Sequence, residues 1–372
     1  MSEKSLPFCN VPWTSFQVHP SREVSACCIN NKRISSYIDF DLRTIHHNPM
    51  IQSLRKAFME GQFHPSCYGC DSKEKLGAQS TRLNRLKNVG WRPEQSGHEL
   101  LNAPMDLRYL DIAFSKVCNL RCRFCNPDYS SKWQSDMKKY DEIDQYMSKQ
   151  LFVPEDRVET ISIAQLKEIL DASPNIEIVE IKGGEPFLSS VHMEFLQLLI
   201  ERGLSERVQL LYSTNGTISM RDYIPLFRKF KDISISISME GQGEIYKYMR
   251  GGDIEISEVV QNVSEIASLS NVRLNTHFLM TALNVFAIRP FEEWARSHLV
   301  PLGAALGVPR VVRGPEPLRP MRLPKVMLRE AIQGLGDVPT RFNETARRIL
   351  SVSLQDASEE GDQQFWEYVL RM

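Results

Sequence analysis

The 372-residue chain has no uninterrupted apolar run of about 18 residues, the length a membrane-crossing helix needs. Its first residues, Met1-Ser2-Glu3-Lys4-Ser5-Leu6-Pro7, lack the apolar stretch of a secretory signal. The expected compartment is therefore the reducing cytoplasm, where cysteines serve metals more often than disulfides. No large charge of either sign is present: the formal net charge is −1, which argues against a surface that binds polyanions as a whole. A local basic face stays open. Internal repeats and low-complexity tracts are absent. Gly241-Gln242-Gly243 follows an apolar run as a dinucleotide loop would, but Tyr246 stands where the third glycine is required, which excludes that reading. What remains is an ordinary folded composition, 42% hydrophobic and 24% charged, with length for about two or three domains.

Cysteine is where the chain departs from the ordinary. Cys118, Cys122 and Cys125 are spaced C-x₃-C-x₂-C, with Phe124 just before the last. Three thiolates at this spacing can hold three corners of a four-iron cluster, leaving one iron open for a substrate or cofactor. A zinc site would ask for a fourth Cys or His nearby, and none follows. The other five of the eight cysteines all precede residue 71: Cys9, the pair Cys27-Cys28, and Cys67-x₂-Cys70. Cys9, Cys27, Cys67 and Cys70 suffice to close a four-ligand site, with Cys28 as an alternative to Cys27 and a structural zinc ribbon as the competing use.

The pattern between these motifs sets the architecture. Trp13 to Val18 and Glu23 to Cys28 read as a hairpin joined at Pro20-Ser21, followed by a helix over Met50 to Glu60 and a basic helical segment over Ser72 to Lys87. Gly90 to Pro104 reads as a linker. Strands are expected at Leu107–Phe114, Glu177–Lys182, Val208–Tyr212, Ile233–Ser238, Val272–Met280 and Gly303–Val312. Amphipathic helices are expected between them at Ile163–Leu170, Met193–Ile200, Ile224–Phe230 and Val259–Leu269. Six strand-helix units imply an α/β fold, a partial (β/α)6 barrel. Residues 126–160 read as a charged excursion after the cysteine loop, and Val326 to Met372 as two or three helices. The expected domains are 1–104, 105–312 and 313–372.

Three strand ends carry further chemistry. Lys182-Gly183-Gly184-Glu185-Pro186 pairs two permissive glycines with a carboxylate that can accept from an ammonium. Ser213-Thr214-Asn215-Gly216-Thr217 reads on its own as a turn. Ser238, with Arg250 twelve residues later, offers a hydroxyl and a guanidinium fork suited to a carboxylate. In a parallel barrel all of these fall at the mouth.

Cysteine loop, Gly-Gly-Glu, Thr-Asn-Gly and Ser…Arg on successive strands resemble the radical S-adenosylmethionine (radical SAM) enzymes, over nearly all of residues 9 to about 312. The resemblance implies a [4Fe–4S] cluster on Cys118, Cys122 and Cys125 whose open iron binds S-adenosylmethionine (SAM). Phe124, Gly183, Gly184, Glu185, Asn215, Ser238 and Arg250 then count as SAM-binding: the Gly-Gly-Glu stretch at the methionyl amino group, Ser238 and Arg250 at the carboxylate. Relatives usually carry Asp where Glu240 stands. The early cysteines are similar to the SPASM/twitch module, which implies an auxiliary [4Fe–4S] cluster, here ahead of the barrel. Reductive cleavage of SAM to a 5′-deoxyadenosyl radical is the implied chemistry, with a reducing partner such as a flavodoxin or ferredoxin.

The substrate is open on sequence alone. A peptide under modification fits the twitch resemblance. A nucleotide, a nucleic acid or a small metabolite is the rival, motivated by the basic stretches Lys73–Arg92 and Arg310–Arg322. A non-catalytic cluster or zinc scaffold is the reading of a different class. His46, His47 and His277 read as surface or core residues, and Phe187, Tyr246 and Trp294 as packing.

Overall fold

The computed structural model describes residues 7–21, 23–30, 33–36, 41–75, 79–91, 93, 97–137 and 161–371. From residue 138 onward the expected 126–160 excursion lies outside them, as does Arg92 of the basic stretch. The chain divides into two compact units. One comprises Met1–Ser115, Arg157–Gly183 and Ser190–Leu211, the other Lys116–Asp156, Gly184–Ser189 and Tyr212–Met372.

In the first unit, β1 (Ser15–Val18) and β2 (Glu23–Ser25) form the expected antiparallel hairpin, extended by β3 (Arg33–Ser36). The hairpin also runs beside the barrel strands. β1 pairs in parallel with β4 (Tyr109–Ala113), Ser15 opposite Tyr109 through Val18 opposite Ile112, and β4 pairs in parallel with β5 (Ile178–Lys182). β4 is buried along its whole length, as a strand covered on both faces must be. Residues expected to begin the first strand form a helical turn instead, Val11–Thr14, with Pro12 in its first turn. Trp13 is fully buried, its Nε1 donating to Leu100 O at 2.9 Å. Arg55, on helix Pro49–Met59, is buried against the Trp13 ring and donates to the carbonyls of Pro12, Leu101 and Ala103. The basic segment is two helices, Tyr68–Lys75 and Thr81–Asn88, the second capped by Ser80 Oγ on Leu83 N.

The division between units falls within β6 (Gln209–Thr214). In the second unit, β7 (Asp232–Ser238) pairs in parallel with β8 (Val272–His277), from Ile233 opposite Val272 to Ser238 opposite His277. Ile233, Ile235 and Ile237 are fully buried on one face while Ser234, Ser236 and Ser238 line the other, a period-two pattern. The expected strand Val272–Met280 breaks at Phe278, after which β9 (Leu279–Met280) follows. Phe278 packs against Phe291 of helix Ile288–His298 and Phe342 of helix Arg341–Asp356. The last expected strand reduces to two short ones, β10 (Ala305–Leu306) beside β8 and β11 (Arg310–Val311) beside β9. The C-terminal segment is three helices, Lys325–Gly334, Arg341–Asp356 and Gln363–Arg371. The fold is α/β with a mostly parallel sheet. No described helix is long and apolar enough to cross a membrane.

Candidate functional site

The second unit alone brings together the C-x₃-C-x₂-C loop and most of the strand-end motifs. The loop holds its own shape: Cys125 N donates to Cys122 O at 2.9 Å. Residues just beyond it act as a clamp. Ser131 Oγ accepts from Cys118 N at 3.2 Å, Ser130 Oγ donates to Leu120 O at 2.6 Å, and Trp133 Nε1 donates to Cys122 O at 2.9 Å. All three lie at or near the start of helix Ser131–Met137, a part the sequence reading passed over as an excursion.

Thr214 and Asn215 do more than turn the chain. Glu185 is fully buried, and its carboxylate accepts from Thr214 Oγ1 at 2.7 Å, Asn215 N at 2.8 Å and Phe187 N at 3.3 Å. Burial pushes Glu185 up to about 7 against these hydrogen bonds. Asn215 Nδ2 donates in turn to Asn119 Oδ1 at 3.1 Å and lies 4.0 Å from Cys118 Sγ, while Asn119 Nδ2 donates to Thr217 Oγ1 at 2.8 Å. A sulfur, an amide and a carboxylate thus form one chain from the cysteine loop to Glu185.

Arg250 supplies the positive charge. It ends helix Gly243–Arg250, is buried, and places Nη1 3.6 Å from Cys122 Sγ with its guanidinium 5.7 Å from the Phe124 ring centre. Nη2 lies 2.6 Å from Glu240 Oε2 as an ion pair, although Nε, Nη2 and Glu240 Oε2 have no aligned hydrogen bond among the described residues. Buried donors of this kind want an acceptor. The helix can approach the loop only because two glycines follow it. A Cβ on Gly251 (φ +60°) would sit 2.4 Å from Arg121 O, and one on Gly252 2.6 Å from Leu120 Cδ2. Arg123 N closes the contact by donating to Met249 O at 2.9 Å. Asn284, fully buried, donates to Glu240 O and Leu279 O and so ties the ends of β7 and β9. Ser238 ends β7, and no hydrogen bond joins it to Arg250 among the described residues.

In the first unit, Gly183 (φ +82°) follows β5, and a Cβ there would lie 2.3 Å from Ala113 Cβ, so close strand packing by itself demands glycine. Gly184, which belongs to the second unit, has a positive φ of 47°. Lys182 Nζ, just before them, donates to the buried Asp111 Oδ2 at 2.6 Å, and Arg85 Nη2 reaches Glu180 Oε2 at 3.2 Å. The early cysteines gather in the first unit. The buried Cys9 thiol is pushed up by burial first and then by the neighbouring Cys27, Cys67 and Cys70, which places those four within electrostatic reach of one another. Cys28 bears electrostatically on Cys27 and on Lys182. Burial likewise raises Cys118 to about 12 and Cys67 to about 11.

All eight thiols are free. Among the described residues no group of three or more His, Cys, Asp or Glu converges as ligands of a single ion. Cysteines on a cluster each take a separate iron, so they need not meet at one point. The donor set fits such a group: buried thiols beside Arg250 gain a partner when they ionise onto metal. His277, read in sequence as surface or core, ends β8 with Nε2 buried and without a hydrogen-bond partner among the described residues. Nothing in a single histidine's spacing marks that, because the evidence is the register with Ser238.

Residues 112–296 match the family model described as the Radical SAM superfamily. Among curated proteins the chain is similar to GTP 3′,8-cyclase of Alkaliphilus oremlandii (strain OhILAs), 26% identical over 175 residues that make 45% of this chain and 47% of that protein. GTP 3′,8-cyclase of Photorhabdus laumondii subsp. laumondii is 23% identical over 206 residues, 52% of this chain and 53% of that protein. The chain thus spans about half the length of the curated relatives it matches. Among solved structures, Streptococcus suis SuiB bound to S-adenosylmethionine matches with TM-score 0.41 and 14% identity, over 82% of this chain and 64% of that one. Native anSMEcpe with bound AdoMet matches with TM-score 0.40 and 17% identity, over 60% and 58%.

Proposed function

With a radical SAM superfamily domain over residues 112–296 as the premise, we propose that this chain holds a [4Fe–4S] cluster on Cys118, Cys122 and Cys125, binds SAM beside it and abstracts hydrogen from a substrate. The observation that carries the reading is the convergence of Asn215, Arg250, Gly251 and Gly252 on the one loop that bears the three thiols. When bound, the cluster and SAM supply one-electron cleavage of the sulfonium to methionine and a 5′-deoxyadenosyl radical.

The residues do the rest. Arg250 offers Nε, a buried donor with no hydrogen-bond partner among the described residues, to the SAM carboxylate, with Ser238 as the second contact. Three of the lone-pair directions of Glu185 are taken by Thr214, Asn215 and Phe187, which fixes the carboxylate and leaves capacity for the methionyl ammonium. Positive φ at Gly184 lets the backbone approach the same group. Phe124, Leu120 and Trp133 border the loop with apolar surface that keeps water away.

Cys9, Cys27, Cys67 and Cys70 hold the auxiliary cluster of a twitch-like module over 1–104, with a helical extension over 313–372 beyond the barrel. The electron comes from a small reducing protein such as a flavodoxin or ferredoxin in a reducing cytoplasm. A peptide is the substrate on this reading. A nucleotide is the second, favoured by the similarity to two proteins named GTP 3′,8-cyclase.

Iron and acid-labile sulfide after anaerobic reconstitution test the assignment. Two clusters require about eight of each per chain, and Cys122→Ala should leave about four while abolishing SAM cleavage. Persistent turnover in that variant would sink the reading. Four irons together with bound zinc would recast the early cysteines as a zinc site. Mass spectra of candidate peptides and of nucleotides after turnover separate the two substrates.

A further inference from the structure

His277 and Arg310 share a face of the second unit to which the SAM contacts give no role. Burial alternates along Leu274–Met280: Leu274, Thr276, Phe278 and Met280 are buried, with His277 and Leu279 between them. Phe278 faces the helices, against Phe291 and Phe342. His277 and Leu279 therefore face the opposite side, the side of Ser238, which stands in register with His277. Arg310 is in register with Leu279, its N donating to Phe278 O at 3.0 Å, so its side chain leaves the sheet on the same side. Arg310 is exposed, and among the described residues no carboxylate pairs with it, whereas the buried Arg250 and the neighbouring Arg319 and Arg322 each have one. His277 Nε2 is buried and lacks a hydrogen-bond partner among the described residues. A buried ring nitrogen beside an unpaired guanidinium is a receptor for an acceptor that has two or more oxygens.

We propose that His277 and Arg310 form a subsite for an oxyanion carried by the substrate, a phosphate or a carboxylate, at the ends of β8 and β11. This deepens the radical SAM reading and rests on it: the oxyanion is the handle by which the substrate is held while another of its atoms loses hydrogen. Arg310 supplies the fork and His277 the single hydrogen bond. Burial and the charges of Arg310 and Arg250 hold the imidazole down to about 4, so it is neutral at working pH and binds through an N–H rather than as a cation. The two sources of such a group are the two substrates already set apart, a nucleotide phosphate and an acidic peptide side chain.

Calorimetric titration of the anaerobically reconstituted chain, with SAM saturating, tests the subsite with two probes, inorganic pyrophosphate and glutarate. Saturable binding of one of them is expected, weakened at least about tenfold in Arg310→Ala and in His277→Gln, the loss of a charge-assisted contact or of a buried hydrogen bond. Arg310→Lys, which keeps charge without the fork, should recover part of it. Arg273→Ala, which removes an arginine at the other end of β8 paired with Asp232, should change nothing. Tighter pyrophosphate supports a nucleotide, tighter glutarate an acidic peptide. The proposal is overturned if neither probe binds, if Arg310→Ala binds as the wild type does, or if binding disappears once SAM is added, because the pair would then serve the SAM carboxylate. SAM cleavage is read separately: a chain that binds the probe but never cleaves SAM overturns the radical reading and leaves the subsite standing.

Discussion

Arg250 and Glu240 form a buried ion pair, Nη2 to Oε2 at 2.6 Å, in which the same guanidinium also reaches Cys122 Sγ. Removing one partner leaves the other charged and dry, which costs more than the pair ever gains. Glu240→Ala should therefore destabilise the chain by about 3–5 kcal/mol in urea unfolding. Glu240→Asp, which keeps the carboxylate, should retain most of the stability. Equal loss in both variants would show that the pair matters only for shape.

Two glycines with similar backbones should respond differently. Gly251 (φ +60°) and Gly203 (φ +66°) both lie in the left-handed region, but a Cβ on Gly203 meets nothing within 4 Å while one on Gly251 strikes Arg121 O. Gly203→Ala should cost about 1 kcal/mol of backbone strain. Gly251→Ala should cost several times that and should lower the iron retained after reconstitution, since the atom it displaces belongs to the cysteine loop. Matching melting temperatures for the two variants would refute the packing argument.

The clamp beyond the loop should act on metal retention more than on folding. Ser131→Ala removes the acceptor of Cys118 N, and Trp133→Phe removes the donor to Cys122 O. Each deletion is worth about 1 kcal/mol in stability. The expected signature is iron lost faster to a chelator from either variant than from wild type, with thermal unfolding of the metal-free chain little changed. Chelation at the wild-type rate would assign the clamp to folding alone.

His277 predicts a pH dependence with a definite sign. Its ordinary value is 6.5 and the fold holds it near 4, by burial first and then by Arg310 and Arg250. Between those values the unfolded chain binds the proton and the folded one does not, so this residue's contribution to stability is present above pH 6.5 and is lost as pH falls toward 4. The bound is about 3 kcal/mol, reduced by whatever water reaches the ring. Unfolding of wild type and His277→Gln in parallel across that range should give a difference that narrows with acidification. A constant difference would mean that the imidazole titrates normally.

Local pattern carried the cysteine motif, the parallel strand-helix alternation and the hairpin, because each is written in residues close together in the chain. The strand positions of β4, β5 and β7 follow directly from apolar runs and from Ile alternating with Ser. What stayed hidden is held by partners far apart in sequence. Thr214 and Asn215 looked like a turn because their acceptor, Glu185, lies about thirty residues earlier. The pairing of Cys122 with Arg250 spans more than a hundred residues, so no window finds it. The break at Phe278 has a different cause: one ring is claimed by two helices, and the pattern of the strand continues through it unchanged.

The parallel register of β1 on β4 bears on how this protein can be shortened. Ser15 to Val18 cover the backbone of Tyr109 to Ile112, residue by residue. A chain begun after residue 104 would bare that edge: a strand buried along its whole length, with its hydrogen-bonding groups turned outward, ready to pair with a second copy. Such a fragment should collect in the insoluble fraction even though it keeps every residue of the C-x₃-C-x₂-C loop. The thiol-rich segment at the start is thus a selvedge that keeps the sheet from fraying into its neighbours, independently of any metal chemistry.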